Sequence, residues 1–503
     1  MDVNNRIVAG QAASVAPALP RNAPPHRAEL RRSIGFVSVA WIFGAVWFAS
    51  LSGTPLTLFA QSLGASNFEF GLLAAMPYLA PLVSPPSSML IDRTGKRRLF
   101  FFLGHYIQRT MWFPIAVIPL WIVSRNHGIT SAAALSWFLV LMFIMHCGGA
   151  IGGPAWMSWM ADLIPLRVRA HYFSRRRAWG MYTMIPASII PGLVLDWKHV
   201  SPEQGGPALN TMWWCGMLFM ISSVFGILDI ASHHFVKHVS VPPQKQSDES
   251  SLLKPLADSQ FLLFAGFVAT ITFAVSFMGQ FATLYLIERL KVTNTQAQLI
   301  LLVAPNVALL MVLSAWGKAV DRMGKKPVMA LAALGLVPVG FGWCFMNTGA
   351  IWLGYILTAA GAALYGGVEV ANMNMMMEMA GVDDKDGTLR SSYAAVNSMI
   401  VNIAGCAGGV SAGIIAQSLD KWTYDLHIPG LAPITFYEVL FALSGVMRLL
   451  AVVIFLPRLH EPKAKTAAHT LRFMTANIYN NLFSLVPWGG KADEAEIRST
   501  ERS

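Results

Sequence analysis

Glu369, Arg109, Arg448, Asp229 and His146 stand inside long apolar runs, where an ionisable group is costly and is kept for pairing or for work on a ligand. At about 1.5 Å of rise per residue, Arg109 lies roughly 16 Å beyond Arg98, Glu369 roughly 13 Å before Glu378 and Arg448 roughly 15 Å before Arg458, so all three reach a similar depth. In the stretch YGGVEVANMN, Tyr365, Asn372 and Asn374 accompany Glu369. A carboxylate in that company can bind a cation or a proton, or accept hydrogen bonds from a hydroxylated solute. The same carboxylate can instead form a buried ion pair with Arg448 that only fixes packing. Arg109 can either meet a ligand or pair with Asp229. His146 offers either a proton carrier near neutral pH or a packing residue. Trp47, Gln280, Tyr285 and Asn306 are further candidate solute contacts, each equally able to cement helices. The four cysteines, Cys147, Cys215, Cys344 and Cys406, lack metal-ligand spacing, and the His and acidic residues are not gathered at one depth. No metal site, cofactor or enzyme active site is expected.

The elements that hold these residues are membrane spans. The chain has 503 residues, of which 55% are hydrophobic and 13% charged. Its apolar windows are long enough to cross a hydrocarbon core of about 30 Å as helices. They predict an all-α membrane protein with twelve spans at 33–61, 70–91, 99–123, 132–162, 178–197, 211–235, 260–288, 297–320, 327–346, 350–380, 393–417 and 434–457. The net charge of +11 is spread in short clusters between the runs rather than in one patch, which argues against nucleic acid and reads as a topology signal. Loops of one parity carry nearly all Lys and Arg. Loops of the other hold Arg125, Lys198, Arg289, Lys291 and Lys421. Both termini are therefore expected in the cytoplasm, with the chain in the inner (plasma) membrane. Residues 1–32 read as a disordered cytosolic leader without a signal peptide, 33–235 as one six-helix bundle, 236–259 as a polar linker and 260–457 as a second bundle. The tail, 458–503, contains Leu471, Met474, Ile478, Leu482 and Leu485 at helical spacing, the mark of an amphipathic helix on a membrane surface.

Two charged octapeptides recur after the second run of each half, IDRTGKRR at 91–98 and VDRMGKKP at 320–327. They resemble the signature of the major facilitator superfamily, Gly-x-x-x-Asp-Arg-x-Gly-Arg/Lys-Arg/Lys. Gly317, Asp321, Arg322, Gly324, Lys325 and Lys326 fit it throughout. Asp92, Arg93, Gly95, Lys96 and Arg97 fit the first copy, with Ser88 in place of the leading Gly. The small leading residue is expected to allow close helix packing, and the second Gly a tight turn. A second echo lies at the ends of the fourth and tenth runs, where Asp162 precedes Arg169 and Glu378 precedes Arg390. The stretch 152–173 is also similar to bacterial members with unassigned substrates.

The resemblance, over about residues 33–457, implies two pseudo-symmetric six-helix bundles that rock about a midplane cavity and open it to each side in turn. It places Asp92 near Arg390 and Asp321 near Arg175–Arg177 as contacts that close the cytoplasmic side. It also makes span three peripheral, which favours pairing for Arg109, and puts Glu369 on a cavity-lining helix. The span-four Arg of proton-coupled drug exporters is replaced by Ile144, ahead of Gly148, and sugar-porter signatures are absent after span six. No phosphate loop occurs, which sets aside a primary pump. The expectation is a secondary transporter of a small solute, monomeric among membrane lipids, driven by protons or sodium. A bundle that binds a ligand or partner without flux, as a sensor or assembly factor, is the competing reading.

Overall fold

In the computed structural model the described residues are 27–125, 132–164, 166–198, 200, 208–237, 250–379, 388–425, 433–461 and 469–474. They are nearly all helical. Eleven helices among them are long and apolar enough to cross a membrane: Glu29–Leu51, Arg97–Arg125, Ala132–Leu163, Arg175–Trp197, Leu209–Phe235, Ser259–Arg289, Asn294–Met323, Lys325–Phe345, Trp352–Met376, Ser392–Ser418 and Phe436–Arg458. The remaining span, the second in chain order, is the helical segment 67–94. It is broken into Asn67–Leu79, a 3-10 turn Ala80–Val83 and Ser84–Thr94, because Pro81, Pro85 and Pro86 cannot donate to the helical ladder. The protein is thus a twelve-helix membrane protein of two six-helix bundles.

Three spans begin on capping boxes that the sequence spells out. Glu69 accepts from the Ser66 backbone at 2.6 Å, Gln296 from the Thr293 backbone at 3.3 Å and Glu438 from the Thr435 backbone at 2.7 Å. Asp258 caps span seven, accepting from the backbone N–H of Gln260 and Phe261 at 2.9 and 3.2 Å. Both octapeptide glycines take positive φ, Gly95 at 64° and Gly324 at 102°, so the tight turn expected there is formed.

Several boundaries differ from the sequence reading. The helix of span one starts at Arg27, inside the expected leader, and stops at Leu51. Gly53, with φ of 81°, and Pro55 divide it from Thr54–Ser62. Span five starts at Leu166 rather than 178, because the basic run at 175–177 is helical instead of forming a loop. The linker holds a short helix, Ser250–Ala257, packed on span eleven. Of the amphipathic tail only 469–474 is described. Thr470 and Met474 are buried against the second bundle while Leu471 is exposed. Ile478, Leu482 and Leu485 lie outside the described residues.

Small residues set the closest helix crossings. A Cβ on Gly104 would come within 2.5 Å of Gly152 N, joining spans three and four. Spans two and eleven, which belong to different bundles, meet at Gly71, Ala75, Gly409 and Gly413, where a Cβ on Gly71 would lie 2.4 Å from the Gly413 Cα. Gly317, by contrast, has nothing within 4 Å of its Cβ position. The close packing expected at this leading glycine is not made, because that side of the octapeptide helix faces open space.

Candidate functional site

The buried charges form two unlike arrangements. In the first bundle, Arg109 of span three donates to Asp229 of span six at 2.9 Å, and its guanidinium lies 3.4 Å from the centre of the Trp47 ring. His233 Nδ1 is 2.9 Å from the Asp229 carbonyl oxygen. Gly44 and Gly226 make room, since a Cβ on either would fall 2.7 Å from Asp229 Oδ2 or from Arg109 Cδ. Arg109 and Asp229 are brought together as read from the sequence. Trp47, offered as a solute contact, is 7% exposed and belongs to this cluster.

In the second bundle Arg448 does not meet Glu369. Its guanidinium donates to the Leu336 carbonyl at 2.9 Å and lies 3.2 Å from Met278 Sδ. The packing pair is therefore not formed, because Arg448 points into the bundle while Glu369 points out of it. Glu369 lies 3.7 Å from Arg177 of span five, across the gap between the bundles, with both side chains about half exposed (54% and 42%). The neighbouring Arg176 is sandwiched between the Trp41 and Trp156 rings at 4.4 and 4.6 Å. Tyr365 sits near Glu369, Arg448 and Thr272. Asn372 keeps a buried amide oxygen without a hydrogen bond. These groups assemble a charged, water-open wall on each side of one gap.

Three further candidates are placed away from it. Tyr285 is 1% exposed and donates to the Met346 carbonyl at 2.8 Å, packed against Trp343, Tyr437 and Phe441. Asn306 donates to Leu302 of its own helix at 2.7 Å. Gln280 accepts from Thr57 of the other bundle at 3.3 Å. His146 is half-buried on span four.

At the end of the molecule that carries the octapeptides, Arg97 is buried and donates to Ser158 Oγ at 2.9 Å and to Asp162. Asp162, read together with Arg169, is thus taken by the octapeptide itself. In the second copy the equivalent role falls to the chain after span twelve. Glu461 accepts from the backbone N–H of Lys325 and Lys326 at 3.1 and 2.7 Å, Lys326 Nζ donates to the Leu459 carbonyl at 2.6 Å, and Arg322 lies over the Phe473 ring at 5.6 Å. Asp92, Arg93, Asp321 and Arg322 are exposed. Neither carboxylate makes a hydrogen bond or ion pair with a described residue of the opposite bundle. The side chains of Arg169, Glu378 and Arg390 lie outside the described residues.

The far end is joined instead, by residues the sequence reading passed over. Asp196, at the end of span five, accepts from the Asn294 backbone and side chain at 2.8 and 2.9 Å and from the Thr295 backbone at 2.8 Å. One bundle thereby caps the first turn of span eight in the other. Reciprocally, Asp420 and Gln417 at the end of span eleven accept from the Asn67 side chain at 2.7 Å and the Phe68 backbone at 3.3 Å, at the start of span two. Gln298 donates to the Ser52 carbonyl at 3.1 Å, filling the space a Cβ on Gly53 would need. Glu288 accepts from Gln61 of one bundle and Tyr437 of the other. The capping boxes are local patterns that the sequence reading did not use. Which carboxylate crosses to which helix is not written locally.

A family model described as Major Facilitator Superfamily matches residues 36–409. The chain belongs to the major facilitator superfamily. Solved structures with this fold include a mutant form of the nucleoside transporter NupG, 14% identical, with a TM-score of 0.62 over 86% of this chain and 100% of that one. A bacterial homologue of the iron transporter ferroportin in an inward-facing state is 14% identical, with a TM-score of 0.60 over 86% and 100%. The xylose transporter XylE from E. coli in an inward-open conformation is 16% identical, with a TM-score of 0.57 over 88% and 99%. No curated protein matches the sequence. At these identities the likeness to solved structures is one of fold. As a superfamily member with these spans, the chain is a multi-pass membrane protein.

Proposed function

We propose that this protein is a secondary active transporter that carries a small polar solute by alternating access, with protons or sodium as the driving ion. The Lys and Arg bias supports a cytoplasmic octapeptide end, which would make the joined far end the outer one and this structure an inward-open state. The carrying observation is the reciprocal seal. Asp196 of span five bound to span eight, and Asp420 with Gln417 of span eleven bound to span two, close one end, while Asp92 and Asp321 at the other end reach no described partner in the opposite bundle. That asymmetry supports one member of a two-state pair. In the outward-open member, Asp92 and Asp321 would move against the opposite bundle, near Arg390 and the Arg175–Arg177 run, while the Asp196 and Asp420 contacts part.

Glu369 and Arg177 are the groups we assign to the solute. They oppose one another across the open gap, both wetted, so a solute entering from the cytoplasm can replace each as the partner of the other. The test is counterflow in proteoliposomes with a panel of small hydrophilic solutes, run with and without a pH or sodium gradient. Nucleosides and pentoses are the natural first members, because two of the similar solved carriers are a nucleoside transporter and a xylose transporter. Gradient-driven accumulation that disappears in Glu369→Gln is the expected result. Ligand-dependent thermal stabilisation without flux would instead mark a sensor.

A further inference from the structure

Spans five and six both rest on span one but separate from one another towards the far end, leaving a cleft of about 520 Å³. Its walls are Pro186, Ile190 and Val194 on one side and Met217, Ile221 and Phe225 on the other. Pro186 and Pro191 remove two ladder donors from span five. The carbonyl that Pro191 leaves unpaired, that of Ala187, takes the Ser50 hydroxyl at 3.4 Å. Ile190 and Ile221 are more than half exposed, at 55% and 51%, which places the cleft on the hydrocarbon-facing flank of the bundle. Trp197 and Trp214 line its mouth.

Between those two rings stands Lys198, its Nζ 3.9 Å from the centre of the Trp197 ring and 4.7 Å from that of Trp214. The ammonium makes no hydrogen bond or ion pair with a described residue. The adjacent acid, Asp196, forms no ion pair with it and is turned to Asn294 and Thr295, from which its two oxygens accept. The ammonium is thus positioned by two indoles, at the depth where such rings mark the edge of a bilayer, with its donors taken by no described residue and an apolar slot beside the two rings.

We propose that this cleft is a binding site for one glycerophospholipid with an anionic headgroup, drawn from the leaflet at the far end. The phosphate lies on Lys198 and one acyl chain fills the slot between Ile190 and Ile221. Charge complementarity selects the headgroup, and the continuous apolar lining selects the chain. The site lies outside the gap between the bundles and does not depend on which solute is carried.

Native mass spectrometry of the delipidated full-length protein, titrated separately with phosphatidylglycerol and phosphatidylcholine of the same acyl chains, tests it. One phosphatidylglycerol should be retained in preference to phosphatidylcholine. Lys198→Gln should weaken the phosphatidylglycerol adduct about fivefold and leave phosphatidylcholine unchanged. Ile221→Trp, which fills the slot from an exposed position, should reduce both. Equal retention of the two lipids by the native protein and by Lys198→Gln would overturn the site. So would oleate competing as well as the phospholipid, since the slot would then select a free chain rather than a headgroup.

Discussion

Arg109 shows what a buried cation requires at this depth: a carboxylate at 2.9 Å, an indole face at 3.4 Å and two glycines that clear the space. Removing one member leaves the other charged, buried and alone. Asp229→Leu should therefore destabilise the protein by about 3–5 kcal/mol, and Arg109→Leu combined with Asp229→Leu should recover most of that loss, as read by thermal unfolding in detergent. Glu369 is a different kind of residue, half exposed and facing the other bundle. Glu369→Gln and Arg177→Gln should each leave unfolding within about 0.5 kcal/mol of the native protein, as for other exposed positions, while solute flux falls at least tenfold. The first pair was legible because the family resemblance makes span three peripheral, which favours a partner such as Asp229 on span six over a ligand for Arg109. The second was not. Arg177 sits in a basic run that reads as a loop when apolar periodicity is the only guide, and it enters the gap only because the helix of span five begins about three turns earlier.

Among elements, the decisive contacts are helix ends presented to carboxylates of the opposite bundle. Asp196→Ala removes all three acceptor contacts on the first turn of span eight. A lost cap of this kind costs about 1 kcal/mol, a roughly fivefold shift in population. The shift should favour opening of the far end, read as faster labelling of a cysteine introduced at Thr295 in a cysteine-free background. The glycine crossing between spans two and eleven works by shape alone. Gly413→Leu should wedge the two helices apart, so disulfide cross-linking between cysteines placed at Phe68 and Gln417 should fall while the protein still inserts. Spans were readable because apolar run length is a local signal, whereas the Ser-x-x-Glu, Thr-x-x-Gln and Thr-x-x-Glu caps, equally local, were passed over. The partners of Asp196 and Asp420 were not readable, because each lies roughly one hundred residues or more away along the chain and only packing of the two bundles brings them together.

For the whole molecule, the octapeptides announced the two-bundle plan from residue types and spacing. In the proposed two-state cycle their environments would change with the conformational state. Asp92→Asn should lower solute flux without reducing the amount of inserted protein, because it weakens a contact proposed for the opposite state and made here with no described residue of the other bundle; unchanged flux kinetics in proteoliposomes would contradict that role. Glu461 adds an asymmetry that the repeat did not foretell. It binds the second octapeptide from beyond span twelve, whereas the first is held from within its own bundle by Ser158 and Asp162 of span four. The two copies share a glycine of positive φ but not the partner that fixes the basic residues after it.

The carboxylate caps at the far end carry a thermodynamic consequence. Their donors and acceptors are small, polar and close to the molecular edge, so water that floods in on separation can solvate nearly everything the contact satisfied. Parting the two halves there need climb only a modest hill, and the two basins can lie within reach of ordinary ligand affinities, the condition under which a cargo molecule can tip a machine of this size.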